Sequence, residues 1–129
     1  MRNACIIKHI FVVDDEADIV SLIERGLVKN GFKVDVFTDP VEALSHFKPD
    51  LYDLVLLDIK MPKMNGFELY REIRKIDSKV KVCFVTAFEV YYKEFKKVFP
   101  SLEINCVIKK PFTIQELTQQ VNLAVNNIA

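Results

Sequence analysis

Short apolar runs alternate along this chain with segments in which apolar residues recur at helical spacing, and this alternation is the strongest constraint on its fold. Five runs dominated by Val, Ile, Leu and Phe predict strands at 10–13, 34–37, 54–57, 80–86 and 107–108. Strands that are apolar throughout, each followed by a helix, favour a parallel sheet covered on both faces. The pattern therefore predicts an α/β fold, a flavodoxin-like (βα)5 doubly wound five-stranded parallel sheet with strand order 2-1-3-4-5 and helices on both faces.

Turn and capping residues mark the helix ends within this pattern. Gly31 predicts the end of the first helix. Asp39 is predicted to cap the second helix, with Pro40 in its first position. Thr113 and Glu116 have the spacing of a capping box, which predicts the start of the last helix.

The length and composition indicate one folded domain. A chain of 129 residues has the commonest size of a single domain, so we expect one domain over residues 1–129 with a core over about 8–127. Half of the residues are hydrophobic and 28% are charged, as in folded globular proteins. Because 18 basic residues balance 18 acidic ones, we expect no direct binding of nucleic acid through bulk charge.

Cysteine usage and hydropathy predict a cytoplasmic protein. Cys5, Cys83 and Cys106 lack the spacing of metal-binding or redox pairs, so we expect reduced, buried thiols. No apolar run approaches membrane-spanning length, and the apolar stretch within Met1–Lys8 is too short for the core of a signal peptide. We therefore expect a cytoplasmic location without membrane contact.

Five polar residues stand at the ends of predicted strands. Asp14 and Asp15 end the first strand, Asp58 the third, Thr86 the fourth and Lys110 the fifth. The carboxyl ends of parallel strands meet at one edge of a doubly wound sheet, where such folds place their ligands. Three carboxylates gathered there would repel one another unless a cation lay between them, and oxygen ligands suit Mg²⁺.

Asp58 is the candidate reactive group of this set. A carboxylate can act as a covalent nucleophile toward phosphoryl groups, and the transfer needs positive charge and donors on the phosphoryl oxygens. Lys110 and Thr86 supply an ammonium and a hydroxyl. Each residue alone has an ordinary explanation as a helix cap, turn residue, strand residue or solvated lysine. Together, on one edge and in this order, they favour the chemical interpretation.

Four motifs in order resemble the receiver domain of two-component response regulators, and the resemblance spans nearly the whole chain. They are Val12-Val13-Asp14-Asp15-Glu16, Leu56-Leu57-Asp58 followed by 59–66, Val85-Thr86-Ala87, and Lys109-Lys110-Pro111-Phe112. The resemblance implies that Asp58 takes a phosphoryl group from a histidine kinase or a histidine phosphotransfer protein. It also implies a switch that signals to a downstream protein target or output domain, and not a turnover enzyme.

The resemblance further implies a metal site for Mg²⁺ (or Mn²⁺). Asp15 and Asp58 would bind the ion directly, and Asp14 would act largely through water. The Lys60 backbone carbonyl would complete the protein ligands.

It also assigns the phosphoryl oxygens to Thr86 and Lys110. Lys110 matches the family lysine because it directly precedes Pro111, and the bond before that proline is usually cis in this family. Receivers typically carry an aromatic residue three positions before this lysine. Here that position is Val107, a β-branched residue with little rotamer freedom, so the usual coupling between the threonine and the aromatic residue is in question.

The helix predicted after the fourth strand has a wide apolar face. Phe88, Tyr92, Phe95 and Phe99 recur at helical spacing and are interpreted as its core face. Tyr91 widens that face, which makes it a candidate partner surface. A homodimer through the face formed by the fourth helix, the fifth strand and the fifth helix is a related hypothesis.

Two other functions compete with the phosphorylated switch. One is a pseudo-receiver that binds partners without being phosphorylated. The other is an enzyme on a similar sheet, either an aspartate-nucleophile phosphatase or a flavin protein. Lys60 stands where such a phosphatase usually has a second acid, and no phosphate-binding loop follows the first strand as a flavin site would require.

Overall fold

The computed structural model describes residues 7–87 and 106–126, and within these ranges the chain forms one five-stranded parallel sheet with helices on both faces. The elements in chain order are β1 (His9–Val13), α1 (Ala17–Lys29), β2 (Lys33–Phe37), α2 (Pro40–His46), β3 (Leu54–Asp58), α3 (Gly66–Ile76), β4 (Lys81–Thr86), β5 (Cys106–Lys109) and α4 (Ile114–Asn126). The strands lie in the order β2-β1-β3-β4-β5, with every neighbouring pair parallel. The predicted fold class and strand order are confirmed.

The alternation of side chains along the central strands divides the interior into two cores. Phe11 and Val13 of β1 point to the face covered by α2 and α3. Ile10 and Val12 point to the opposite face, which α1 and α4 cover. A fully buried side chain such as Phe11 contributes about 1.5–3 kcal/mol through its transfer from water. The continuous apolar strands are therefore explained by burial on both sides of the sheet.

The predicted helix starts are confirmed by side-chain hydrogen bonds. The Asp39 carboxylate accepts a hydrogen bond from the Val41 N–H at 2.9 Å, and Pro40 opens α2. The Thr113 hydroxyl accepts from the Glu116 N–H at 3.0 Å, and the Glu116 carboxylate accepts from the Thr113 N–H at 2.8 Å. These bonds satisfy N–H groups that a helix start leaves without intrahelical partners.

The structure joins Cys83 and Cys106 in a disulfide, so the prediction of reduced thiols was wrong for these two residues. The reason is the register of β4 and β5, which makes the two cysteines direct cross-strand partners. Their Cα atoms lie 4.6 Å apart, within the range that a disulfide spans. A separation of 23 positions along the chain hid this proximity from sequence reasoning.

Several sequence predictions lie outside the described residues. The predicted helix with Phe88, Tyr91, Tyr92, Phe95 and Phe99 falls within 88–105, as does a part of the hypothetical dimer face. Across 7–87 and 106–126, no helix is both long enough and apolar enough to cross a bilayer.

Candidate functional site

The central strands β1 and β3 place two aspartates side by side at the carboxyl edge of the sheet. Their parallel register pairs Val13 with Leu57, so the next residue on each strand, Asp14 and Asp58, emerges at the same level. Both side chains are buried, with residue exposures of 1% for Asp14 and 6% for Asp58. Ionised groups are seldom buried unless they have partners, so this placement calls for nearby positive charge.

Lys110, directly after the edge strand β5, supplies positive charge at the same carboxyl edge of the sheet. The register of β4 and β5 pairs Thr86 with Lys109, and the Lys110 N–H donates a hydrogen bond to the Thr86 carbonyl at 2.8 Å. The Lys110 ammonium lies 2.7 Å from Asp14 Oδ2 and 3.7 Å from Asp58 Oδ2. The bond between Lys110 and Pro111 is cis, as the family resemblance implied.

An open cavity of about 460 Å³ lies over these groups. Of the residues predicted for the site, Asp15, Asp58, Lys60 and Lys110 line it, and the remaining lining residues are Glu16, Met61, Pro62 and Ala87. Thr86 ends β4 at 3% exposure and does not belong to the cavity lining, whereas its neighbour Ala87 does. Thr86 is therefore a buried residue at the end of its strand, next to the cavity lining.

Four carboxylates converge at the base of the cavity. Asp14, Asp15, Glu16 and Asp58 each bring one carboxylate oxygen within 4.8 Å of the others. Asp14 and Asp58 are buried, while Asp15 and Glu16 are exposed. This all-oxygen donor set fits a hard divalent cation such as Mg²⁺, which keeps several waters and takes only a few carboxylates. Glu16 is the member that sequence reasoning missed, although its position directly after two acidic residues was a usable signal.

The electrostatics of the site show an excess of negative charge. Burial raises the pKa of the Asp58 carboxyl to about 7, the Asp14 carboxylate adds to the rise, and Lys110 opposes it. Burial also raises the pKa of Asp14, against the hydrogen bond from Lys110. Burial alone would lower the pKa of Lys110, but the hydrogen bond to Asp14 raises it on balance, so this lysine stays charged. One ammonium does not compensate the clustered carboxylates, which is the setting that a divalent cation relieves.

The loop after β3 packs directly against the backbone of Asp58. The Gly66 N–H donates a hydrogen bond to the Ile59 carbonyl at 2.8 Å. A Cβ atom at Gly66 would lie only 2.2 Å from the Asp58 carbonyl oxygen, so glycine is required here by the close approach of two backbone segments. A capping box between Asn65 and Glu68 fixes the start of α3 beside this contact. Sequence reasoning did not identify that cap.

The position of Val107 bears on how a change at the site would be transmitted. Val107 lies on β5, opposite Phe84 of β4, and its side chain is 39% exposed. A branched valine at this place cannot swing between an inward and an outward position as a large ring can. The residue at this place in β5 is therefore not one that can act as an aromatic switch.

A family model places the chain among known proteins. The model of the response regulator receiver domain matches residues 10–122, which include all the site residues described above. The chain belongs to the response regulator receiver family. Receiver domains are signalling switches of two-component systems, and the acidic cavity of this receiver fits that assignment.

Individual relatives agree with the family. The receiver is 31% identical over 115 residues to the response regulator SaeR of Staphylococcus aureus, covering 88% of this chain and 49% of SaeR. It therefore spans about half the length of the curated relatives that it matches.

Solved structures show the same fold. The response regulator TrrA of Thermotoga maritima, solved in complex with Mg²⁺-BeF, is 33% identical with a TM-score of 0.76, and the match covers 92% of this chain and 99% of TrrA. A CheY-like receiver domain protein of Methanospirillum hungatei has a TM-score of 0.82 at 24% identity, with 94% and 95% of the two chains covered. At that identity the second match shows the fold alone.

Proposed function

We propose that this receiver is a phosphorylation-dependent switch in which Asp58 accepts a phosphoryl group from a histidine kinase or a histidine phosphotransfer protein. The observation that carries the proposal is the position of Asp58, a buried carboxylate at the end of a central strand that nevertheless lines an open cavity. Asp14 and Lys110 lie beside it, and Asp15 lines the same cavity. Buried, electrostatically perturbed carboxylates of this kind cluster at functional sites.

The transfer needs little from the protein beyond a nucleophile and compensating charge. An Asp58 oxygen attacks the phosphorus atom while the bond from phosphorus to the donor nitrogen breaks, so an acyl phosphate forms and the donor imidazole leaves. Lys110 carries the charge that would attract the phosphoryl oxygens. Thr86 is proposed as a second phosphoryl contact, through the hydroxyl that it carries at the end of β4.

The reaction is proposed to depend on Mg²⁺ (or Mn²⁺). Asp15 and Asp58 would hold the ion directly, Asp14 largely through water, and the Lys60 backbone carbonyl would complete the protein ligands. When bound, the ion would supply positive charge against the phosphoryl oxygens. Support comes from the convergence of the carboxylates and from the complex of the similar TrrA with Mg²⁺-BeF.

The output is proposed to pass through protein contacts in the cytoplasm. A downstream protein or an output domain would read the phosphorylated state, and this chain itself would contact neither nucleic acid nor membrane. A homodimer through β5, α4 and the helix predicted within 88–105 stays a hypothesis. The receiver would catalyse only its own phosphorylation and dephosphorylation.

Intact mass spectrometry after incubation with Mg²⁺ and acetyl phosphate tests the proposal. We expect one added phosphate on the parent protein and none on Asp58→Asn, with Asp18→Asn, a control at an exposed acid of α1, behaving like the parent. No adduct on the parent under any donor would support the pseudo-receiver alternative. Continuous release of phosphate with turnover would instead indicate an enzyme.

A further inference from the structure

The Lys110 ammonium lies near three carboxylates, two from the β1–α1 junction and one from the end of β3. Its ammonium lies 3.0 Å from Glu16 Oε1 and 2.7 Å from Asp14 Oδ2, but 3.7 Å from Asp58 Oδ2. The nearer two carboxylates both belong to the β1–α1 junction. In this structure, the ammonium is therefore bound closer to that junction than to the proposed phosphoryl acceptor.

The backbone of Glu16 is hydrogen-bonded on both sides, while its side chain is exposed to solvent. Its N–H donates to Asp14 Oδ1 at 2.9 Å, and its carbonyl accepts from the Val20 N–H at 3.0 Å. Glu16 is the N-cap residue of α1, yet its side chain makes no capping hydrogen bond. The side chain reaches instead to Lys110, and it is 60% exposed. The Glu16 carboxylate is therefore directed toward Lys110 and not toward the N–H groups of its own helix.

Burial distinguishes the two carboxylates that hold Lys110. The Asp14 side chain is 2% exposed and the Lys110 side chain is 11% exposed, so that pair is anchored inside the protein. The Glu16 side chain is 60% exposed, so water screens its contact with Lys110 and makes it weak. The contact with Glu16 orients the Lys110 ammonium at rest, but an anion of higher charge arriving at Asp58 can displace it.

We propose that Glu16 is a positioning residue that holds the Lys110 ammonium on the α1 side of the cavity and so slows its approach to a phosphoryl group arriving at Asp58. The inference rests on the proposed function of Asp58 and Lys110. Glu16 and the phosphoryl oxygens compete for the same donor, so the resting contact must loosen before Lys110 can stabilise the transfer. Glu16 thereby sets the rate of phosphorylation without touching the reacting atoms.

Three variants separate this role from general charge effects. Glu16→Gln keeps the size of the side chain but removes its charge, and Glu16→Asp keeps the charge on a shorter stem. Asp18→Asn is the matched control, because Asp18 is an exposed acid in the first turn of the same helix. The rate of phosphorylation by acetyl phosphate is followed by intact mass at saturating Mg²⁺, so that differences in cation affinity do not enter.

We expect Glu16→Gln to be phosphorylated about two- to fivefold faster than the parent, which corresponds to loss of an exposed ion pair. Glu16→Asp should stay closer to the parent rate than to that of Glu16→Gln, and Asp18→Asn should match the parent. A rate for Glu16→Gln that is equal to or slower than the parent rate would overturn the inference. A rate for Glu16→Gln that falls below the parent rate only when Mg²⁺ is subsaturating, and equals it at saturation, would assign Glu16 to the metal instead.

A second measurement does not depend on phosphorylation. In protein labelled with 15N-lysine, the ammonium signal of Lys110 is identified by its loss in Lys110→Met. This signal should shift and exchange faster in Glu16→Gln but not in Asp18→Asn. An unchanged signal overturns the inference even if phosphorylation occurs. If the signal responds but the parent takes up no phosphate, the ion pair stands and the proposed function fails together with the kinetic role.

Discussion

Gly66 shows how one residue sets the shape of the site. Its backbone packs so closely on the Asp58 carbonyl that a methyl group at this position has no room. Because the obstacle is backbone rather than a flexible side chain, the loop after β3 would have to move away from the proposed phosphoryl acceptor.

Gly66→Ala is therefore expected to lower the free energy of unfolding by about 1–3 kcal/mol and to slow phosphorylation of Asp58. Gly31→Ala is the matched control. Gly31 has φ +91° and no atom within 4 Å of an added Cβ, so its cost of about 1 kcal/mol should come from backbone strain and leave phosphorylation unchanged. Urea unfolding measures the change in free energy of unfolding, and intact mass spectrometry measures the rate of phosphorylation. Equal phosphorylation rates in both variants would contradict the expectation.

At the scale of elements, the side chain of Asp77 connects the end of α3 to the segments before β3 and β4. Its carboxylate accepts hydrogen bonds from the backbone N–H groups of Lys79 at 3.0 Å, Val80 at 3.2 Å and Asp50 at 3.1 Å. Burial raises the pKa of this carboxyl, but the bonds from Lys79, Asp50 and Val80 outweigh it, so the pKa lies below its ordinary value. The charged form is thus favoured in the folded state.

Asp77→Ala is expected to destabilise the domain by about 1–3 kcal/mol at neutral pH, because three backbone donors lose their acceptor. A carboxyl whose pKa is lowered by folding stabilises the protein above its unfolded pKa of about 3.9 and loses this contribution as the pH falls through its folded pKa. In urea unfolding, the difference in free energy of unfolding between variant and parent should therefore be constant above about pH 5 and narrow as the pH falls below about 4. If the difference in free energy of unfolding did not change with pH, the ionised Asp77 carboxylate would not be the source of the stabilisation.

Glu72→Ala provides the control on the same helix. Glu72 contacts Lys75 at 2.9 Å in an exposed pair, so the variant should cost less than about 1 kcal/mol at neutral pH.

For the whole molecule, the carboxylate cluster couples cation binding to stability. Folding brings Asp58 to the consecutive acids Asp14, Asp15 and Glu16 from a distant position in the chain, so a divalent cation should bind the folded state far better than the unfolded one. At a concentration about ten times its dissociation constant, Mg²⁺ should stabilise the fold by about 1.4 kcal/mol and raise Tm by about 3–6 °C.

Thermal unfolding in MgCl₂ and in NaCl of equal ionic strength measures this coupling. We expect the rise in Tm with MgCl₂ only, a much smaller rise in Asp15→Asn, and a parent-like rise in Asp18→Asn. Equal effects of the two salts on the parent would argue against a divalent-cation site.

The sequence by itself determined the architecture. Unbroken apolar strands, each followed by a helix, require burial on both faces, and five such units in a chain of this length fit the doubly wound strand order. The caps at Asp39 and Thr113 followed from local chemistry, since a helix start needs acceptors within three residues. The position of Asp58 at a strand end followed in the same way.

Only the tertiary structure decided which side chains meet. The contact between Glu16 and Lys110 joins residues 94 positions apart, and the disulfide of Cys83 with Cys106 depends on the register of two strands. The close approach of Gly66 to Asp58 depends on the path of one loop. Periodicity and capping act within a few residues, whereas register and loop path emerge only when the whole sheet packs. The proposed phosphoryl acceptor was therefore predictable from the sequence, and the residue that positions its lysine was not.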